Sequence, residues 1–150
     1  MESETGKELL CEVHHSAEMG KDSIVALLPK VSNEQLRLDM MTQLDGYLHF
    51  SARAGSELSL CHAKPKSEKK SKKFAASMGI AAETMFDSSA SHIAELITKG
   101  SSADIMTITR AVNKAKGRGG EIIPNADAFS MCNELVSFEN SNIERMKKYL

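Results

Sequence analysis

Tryptophan is absent from this sequence, and aromatic residues together make up only 5% of it. Sheets draw heavily on aromatic and β-branched side chains, so the shortage points away from β-packing and towards helices, and nine methionines point the same way. Cysteine is scarce too. Cys11, Cys61 and Cys132 are odd in number, widely spaced and without a Cys-x-x-Cys pair, which argues against a disulfide scaffold or a zinc finger and fits a reducing compartment. No apolar run is long enough to cross a bilayer, and the opening MESETGKELL has neither the basic start nor the apolar stretch of a secretory leader. A cytoplasmic protein with no membrane partner is expected. Charge of either sign is not in excess: 19 basic against 20 acidic residues leave a formal charge of −1, with no global attraction to nucleic acid.

What the chain does have is helical periodicity. Its 150 residues are 41% hydrophobic and 26% charged, ordinary values for one globular domain spanning 1–150 with a core of its own. Leu10, Val13, Ala17, Gly20, Ile24 and Leu28 share a face of a first helix, about Gly6 to Leu28, and Pro29 follows. Ser32 with Gln35 reads as a capping box opening a second helix to about His62. Its stripe is Leu36, Met40, Met41, Leu44, Tyr47, Leu48, Ser51, Gly55 and Leu58. The small pair Ser51 and Gly55 leaves room there for a neighbour to approach closely.

A third helix is predicted from about Ser67 to Lys99. Gly100 is expected to stop it, and Ser101, three residues before Asp104, to cap a short fourth helix reaching about Lys116. A last helix runs from about Asn125 to Tyr149 and buries Ala128, Met131, Cys132, Leu135, Phe138 and Met146. Two links stand out. Lys64 to Lys73 is the one charge run, read as solvated surface, with grip on an anionic partner as its functional counterpart. Lys116 to Pro124 is glycine-rich but lacks the Gly-Lys-Ser/Thr ending of a phosphate loop. Four long helices and one short one bury their stripes only against each other, so the expected fold is all-α, an up-and-down helical bundle with antiparallel neighbours.

Few residues could carry chemistry. Glu12 and His15 have Glu-x-x-His spacing, by which bundles present ligands to paired metal ions, yet both fall about 140° or more from Ala17 and should face water. Asp45 and His49 read as a surface pair. His92 differs, because it falls mid-stripe with Phe74, Met78, Ala81, Met85, Ser89 and Leu96, and a buried imidazole needs a partner such as Ser88, Ser89 or Glu95. On the last helix Glu139 lies about 40° and Asn142 about 20° from Leu135, so both should point inward, where a carboxylate needs a donor, a cation or a metal. Asn142 stands where a Glu-x-x-His motif would place its histidine.

The segments AEMGKDSI, SHIAELITKGSS and FENSNIERMKKYL resemble an uncharacterised bacterial family of ferritin-like helical bundles. The resemblance implies a ferritin-like four-helix bundle, here with one additional short helix, and makes Glu18, His92, Glu95 and Glu139 the positions to examine as metal ligands. It carries no established activity, and the lone Glu139-x-x-Asn142 departs from the paired motifs of dinuclear iron proteins. Two functions are therefore expected to compete. One is a non-enzymatic bundle acting through self-association, as a homo-oligomer, or through a protein partner. The other is an iron- or manganese-binding protein using His92, Glu95, Glu139 and Glu18.

Overall fold

The computed structural model describes residues 3–65, 79, 84, 87–117 and 126–150. They are overwhelmingly helical, and no strand occurs among them. Helix α1 spans Glu4–Leu27, and the Gly6 N–H donates to the Ser3 side chain at 3.1 Å, satisfying one of the donors that every helix start leaves free. A single 3₁₀ turn, Leu28–Lys30, with Pro29 at its start, leads to α2, Glu34–Leu60. The cap of α2 is Asn33, whose Oδ1 accepts from the Leu36 N–H at 3.0 Å. Ser32 lies one residue too early because Asn33 holds the extended backbone that a cap requires, and asparagine caps at least as well.

The end of α2 is equally local. His62 adopts a left-handed φ of 55°, its N–H returns to the Ser59 carbonyl at 3.0 Å, and the Ala63 N–H reaches the Leu58 carbonyl at 2.8 Å. This is a Schellman ending with histidine in the position glycine usually takes.

The largest departure from expectation concerns Gly100. Helix α3 runs unbroken over Ala90–Gly117, so Gly100 and Ser101 are mid-helix and the separate short helix does not exist. Taking Ile97 as reference, Ile93, Ser101, Asp104, Ile108 and Ala115 fall within about 40° of it and Ala94 and Val112 within about 60°. That shared phase outweighs the roughly 1 kcal/mol a mid-helix glycine costs. The predicted helix from Ser67 to Lys99 is not continuous: Asp87–Ser89 are not helical, and Ser89 Oγ accepts from the His92 N–H at 3.2 Å as the cap of α3, while the predicted start at Ser67 lies outside the described residues. Helix α4 spans Ala126–Met146 and tightens into a 3₁₀ turn at Lys147–Tyr149. Most of the lysine run, and Arg118 to Asn125 of the glycine-rich link with its flank, lie outside the described residues.

Two apolar clusters fix the helix directions. One joins Leu9, Val13 and Ala17 of α1, Phe50, Ala54 and Leu58 of α2, Ile108 and Val112 of α3, and Met131, Cys132 and Leu135 of α4. The other joins Ile24 and Leu27, Leu36 and Met40, Ile93 and Ile97, and Met146 from the same four helices. Residues early in α1 therefore share a level with residues late in α2, late in α3 and early in α4. Helices α1 and α2 are antiparallel, as are α3 and α4, whereas α2 and α3 run the same way. Among the described helices, α2 therefore ends and α3 begins at opposite ends of the bundle, and most of the chain between them lies outside the described residues.

Two glycines seat aromatic rings between the clusters. A β-carbon on Gly20 of α1 would overlap the Tyr47 ring of α2, and one on Gly46 of α2 would overlap the Phe138 ring of α4. Tyr47 and Phe138 meet edge to face with centroids 5.1 Å apart, and Phe138 and Phe50 lie 5.4 Å apart.

Candidate binding site in the central polar layer

Between the two apolar clusters the interior is polar. Gln43, Ser101, Glu139 and Asn142 are all buried at this level, with Tyr47 buried beside them. Periodicity relative to Leu135 foretold that Glu139 and Asn142 would face in, and each retains only 1% of its accessible surface. The Tyr47 hydroxyl donates to Glu139 Oε2 at 3.0 Å. The remaining groups are not paired among the described residues: Glu139 Oε1, Ser101 Oγ, Asn142 Nδ2 and both amide atoms of Gln43 are buried and make no hydrogen bond there. Buried polar atoms are nearly always satisfied, and leaving one unmet costs about 1–3 kcal/mol. Their concentration at one level makes this layer the candidate site.

Asp104 completes the layer. Burial, then the neighbouring Glu139 carboxylate, pushes its carboxyl up to about 8, while burial also raises Glu139. Two adjacent carboxyls removed from water do not both ionise, so at neutral pH the pair keeps a proton and carries at most one negative charge. The side chains that ease the charge on Glu139 are Ser101, Tyr47, Asp104 and Asn142, none of them cationic, and the Ser101 and Asn142 donors fall outside hydrogen-bonding geometry. Tyr47 is itself raised well above the ordinary phenol range by burial and by Glu139, and stays a donor.

This layer opens to the surface. A pocket of about 240 Å³ lies between α1 and α3, with Ile24, Leu27, Leu96 and Ile97 among its walls and Ser23, Tyr47, Ser101 and Asp104 among its polar groups. Its width comes from small residues on both helices, Gly20 and Ser23 on α1, Gly100 and Ala103 on α3. On the far side, a groove between α2 and α4 reaches Asn142 past Thr42, Asp45, His49 and Arg145.

The four residues expected to hold iron or manganese do not converge. His92 and Glu95 are neighbours, with His92 Nδ1 3.7 Å from a Glu95 oxygen, but Glu95 is exposed and pairs with Lys99 at 2.9 Å. The His92 ring is not at the centre of the buried face: it lies about 140° from Ile97 on the helix wheel and its side chain keeps 17% of its surface. The predicted stripe crosses Asp87–Ser89, which are not helical, so its phase does not carry through to His92; Phe74, Met78, Ala81 and Met85 lie outside the described residues. Glu139 acts near Ser101, nine residues and so roughly 13 Å along α3 from His92. Glu18 belongs to a third place: it pairs with Lys21, accepts from Ser51 Oγ at 2.6 Å, and is held below the usual carboxylate range by these bonds against the opposing cost of burial. Among the described residues no group of three histidines, cysteines or acids is placed to hold a metal ion.

The small pair on α2 does admit a neighbour. Ser51 takes Glu18, and Gly55 leaves an ordinary contact for the His14 ring, 3.8 Å from where a β-carbon would stand. The sequence reading missed Gln43, Asp104 and Ser101. Gln43 is polar and so broke the apolar stripe by eye, and Asp104 and Ser101 were assigned to a cap; the signal that finds all three is phase, since Gln43 follows Met40 by three residues and precedes Tyr47 by four. No family model, no curated protein and no solved structure matches this chain.

Proposed function

We propose that this protein is a non-enzymatic, ferritin-like bundle of the cytoplasm that works by binding a small molecule in the pocket between α1 and α3. The ferritin-like assignment rests on the directions of the described helices: α2 and α3 run parallel, as helices joined by a long connection do in such folds. The binding assignment rests on an apolar-walled opening lined by the unpaired Ser101 hydroxyl, by Asp104 and by Tyr47, whose hydroxyl donates to the buried Glu139 behind it. Binding rather than turnover is favoured because the buried Cys132 thiol, pushed up to about 12 by burial, is no activated nucleophile. Fragment binding followed by NMR, with Gly100→Leu as a plug for the mouth, tests the proposal. Fragments that shift Met19, Ile24 and Ala103 resonances in the native protein and not in the plugged one support it; fragments that bind both equally defeat it.

A second reading, self-association as a homo-oligomer, is favoured by Leu38, Met41 and Leu48, which stand exposed on one outer strip of α2. A second copy of a chain with net charge −1 would meet little repulsion there. Sedimentation that stays monomeric across a hundredfold concentration range would exclude it, and an oligomer dispersed by Met41→Lys would uphold it.

A further inference from the structure

Among the described residues, no cation eases the negative charge of the polar layer. Glu139 is buried, its Oε1 meets no donor, and the side chains that ease its charge are neutral or acidic. A charge in such a place is costly unless paired. The pocket that leads to it has aliphatic walls, and an engineered apolar cavity of roughly 150 Å³ takes a ring the size of benzene. One of about 240 Å³ therefore admits a somewhat larger apolar body.

We infer that the pocket between α1 and α3 binds a small organic cation, a protonated primary amine on an apolar body, with its ammonium group seated at Asp104, Ser101 and the Tyr47 oxygen. An ammonium group has three N–H donors and no acceptor. The polar floor presents three matching acceptors: the Asp104 carboxylate, the Ser101 hydroxyl, which has no other partner, and the Tyr47 oxygen, whose own hydrogen is spent on Glu139. The apolar body lies along Ile24, Leu27 and Ile97. Arrival of the cation releases the proton held by the Asp104 and Glu139 pair, so one positive charge replaces another and the net charge of the interior is conserved. A hydrated divalent ion fits less well, because it demands several oxygen ligands and the pocket walls offer one carboxylate amid aliphatic side chains.

This inference rests on the pocket being the binding site, and one titration separates the two claims. Hexylamine, hexan-1-ol, hexanoate and manganese chloride are titrated by calorimetry at pH 7 into the native protein, Asp104→Asn and Gly100→Leu. Hexylamine binding at least about tenfold tighter than hexan-1-ol, weakened at least about tenfold by Asp104→Asn and lost in Gly100→Leu, is the expected result. Proton release on binding, read from the dependence of the heat on the buffer, accompanies it. If hexan-1-ol or hexanoate binds as well as the amine and Gly100→Leu blocks it, the cation inference falls and the pocket stands. If manganese binds and the amine does not, the cation inference falls. If none of the four binds, both fall. Gly100→Leu removes no polar group, and a β-carbon at Gly100 meets nothing within 4 Å, so that variant folds even where Asp104→Asn fails to.

Discussion

The two ends of this bundle and the layer between them are built by opposite rules. At the end formed by Leu9, Phe50, Leu58, Ile108 and Leu135, all four helices contribute aliphatic or aromatic side chains in one cluster. The other end, around Ile24, Leu36, Met40, Ile93 and Met146, repeats the scheme and is tied off outside by Tyr149, which donates to Asp39 at 2.6 Å, and by Lys148, 2.9 Å from the same carboxylate. The middle instead holds two carboxyls, an amide pair and a serine with incomplete bonding. Stability resides at the ends, and the middle spends some of it on a feature that packing alone does not need.

Four measurements break or sharpen that contrast. Leu135→Ala, at a fully buried end position, is expected to cost about 3 kcal/mol in denaturant unfolding. Gly46→Ala comes next, at about 2 kcal/mol, because its methyl group displaces the Phe138 ring; a Phe138→Leu background should recover much of that loss, and no recovery would count against the ring being the cause. For the middle layer the measure is pH. Asp104 binds its proton more tightly folded than unfolded, so its contribution is fully present in acid and is lost as pH rises through about 8. Between pH 7 and 8.5 stability should fall by roughly 1–2 kcal/mol, and the slope should vanish in Asp104→Asn. A native slope that is flat or rising contradicts the shared proton. Smallest is the surface: Arg53→Ala, which removes the 2.5 Å pair with Glu134, should cost about 0.5 kcal/mol or less and lose even that in molar salt.

Much of the fold was readable from periodicity, and the exceptions share a cause. Glu139 and Asn142 were correctly turned inward because Leu135 sets the phase of α4 and nothing local competes with it. At Gly100 and Ser101 the local signal, a glycine followed by a capping residue, argued for a corner, while the stripe from Ile93 to Ala115 kept step across it; burial of the stripe prevailed. Reading Asp104 as a cap partner then hid its place beside Glu139. On α2, Met41 and Leu48 were assigned to the core on hydrophobicity but are exposed, and Gln43, Phe50 and Ala54 lie inside. The true face of that helix includes a buried amide, which no ranking by hydrophobicity would select. The site was legible in part for the same reason: its acid on α4 sits in an otherwise apolar stripe, whereas its acid on α3 imitated a familiar punctuation.

The rings lodged at Gly20 and Gly46 have a mechanical consequence. Moving α1 by one turn against α2, a slide of about 5.4 Å, would bring Ser16 or Ile24 opposite the Tyr47 ring, and the same slide at Gly46 would offer Thr42 or Phe50 to Phe138. Neither neighbour leaves the hollow a ring needs. The pair therefore acts like two keys on one shaft, admitting a single axial setting of α1, α2 and α4, and in that setting alone the Tyr47 hydroxyl is level with Glu139.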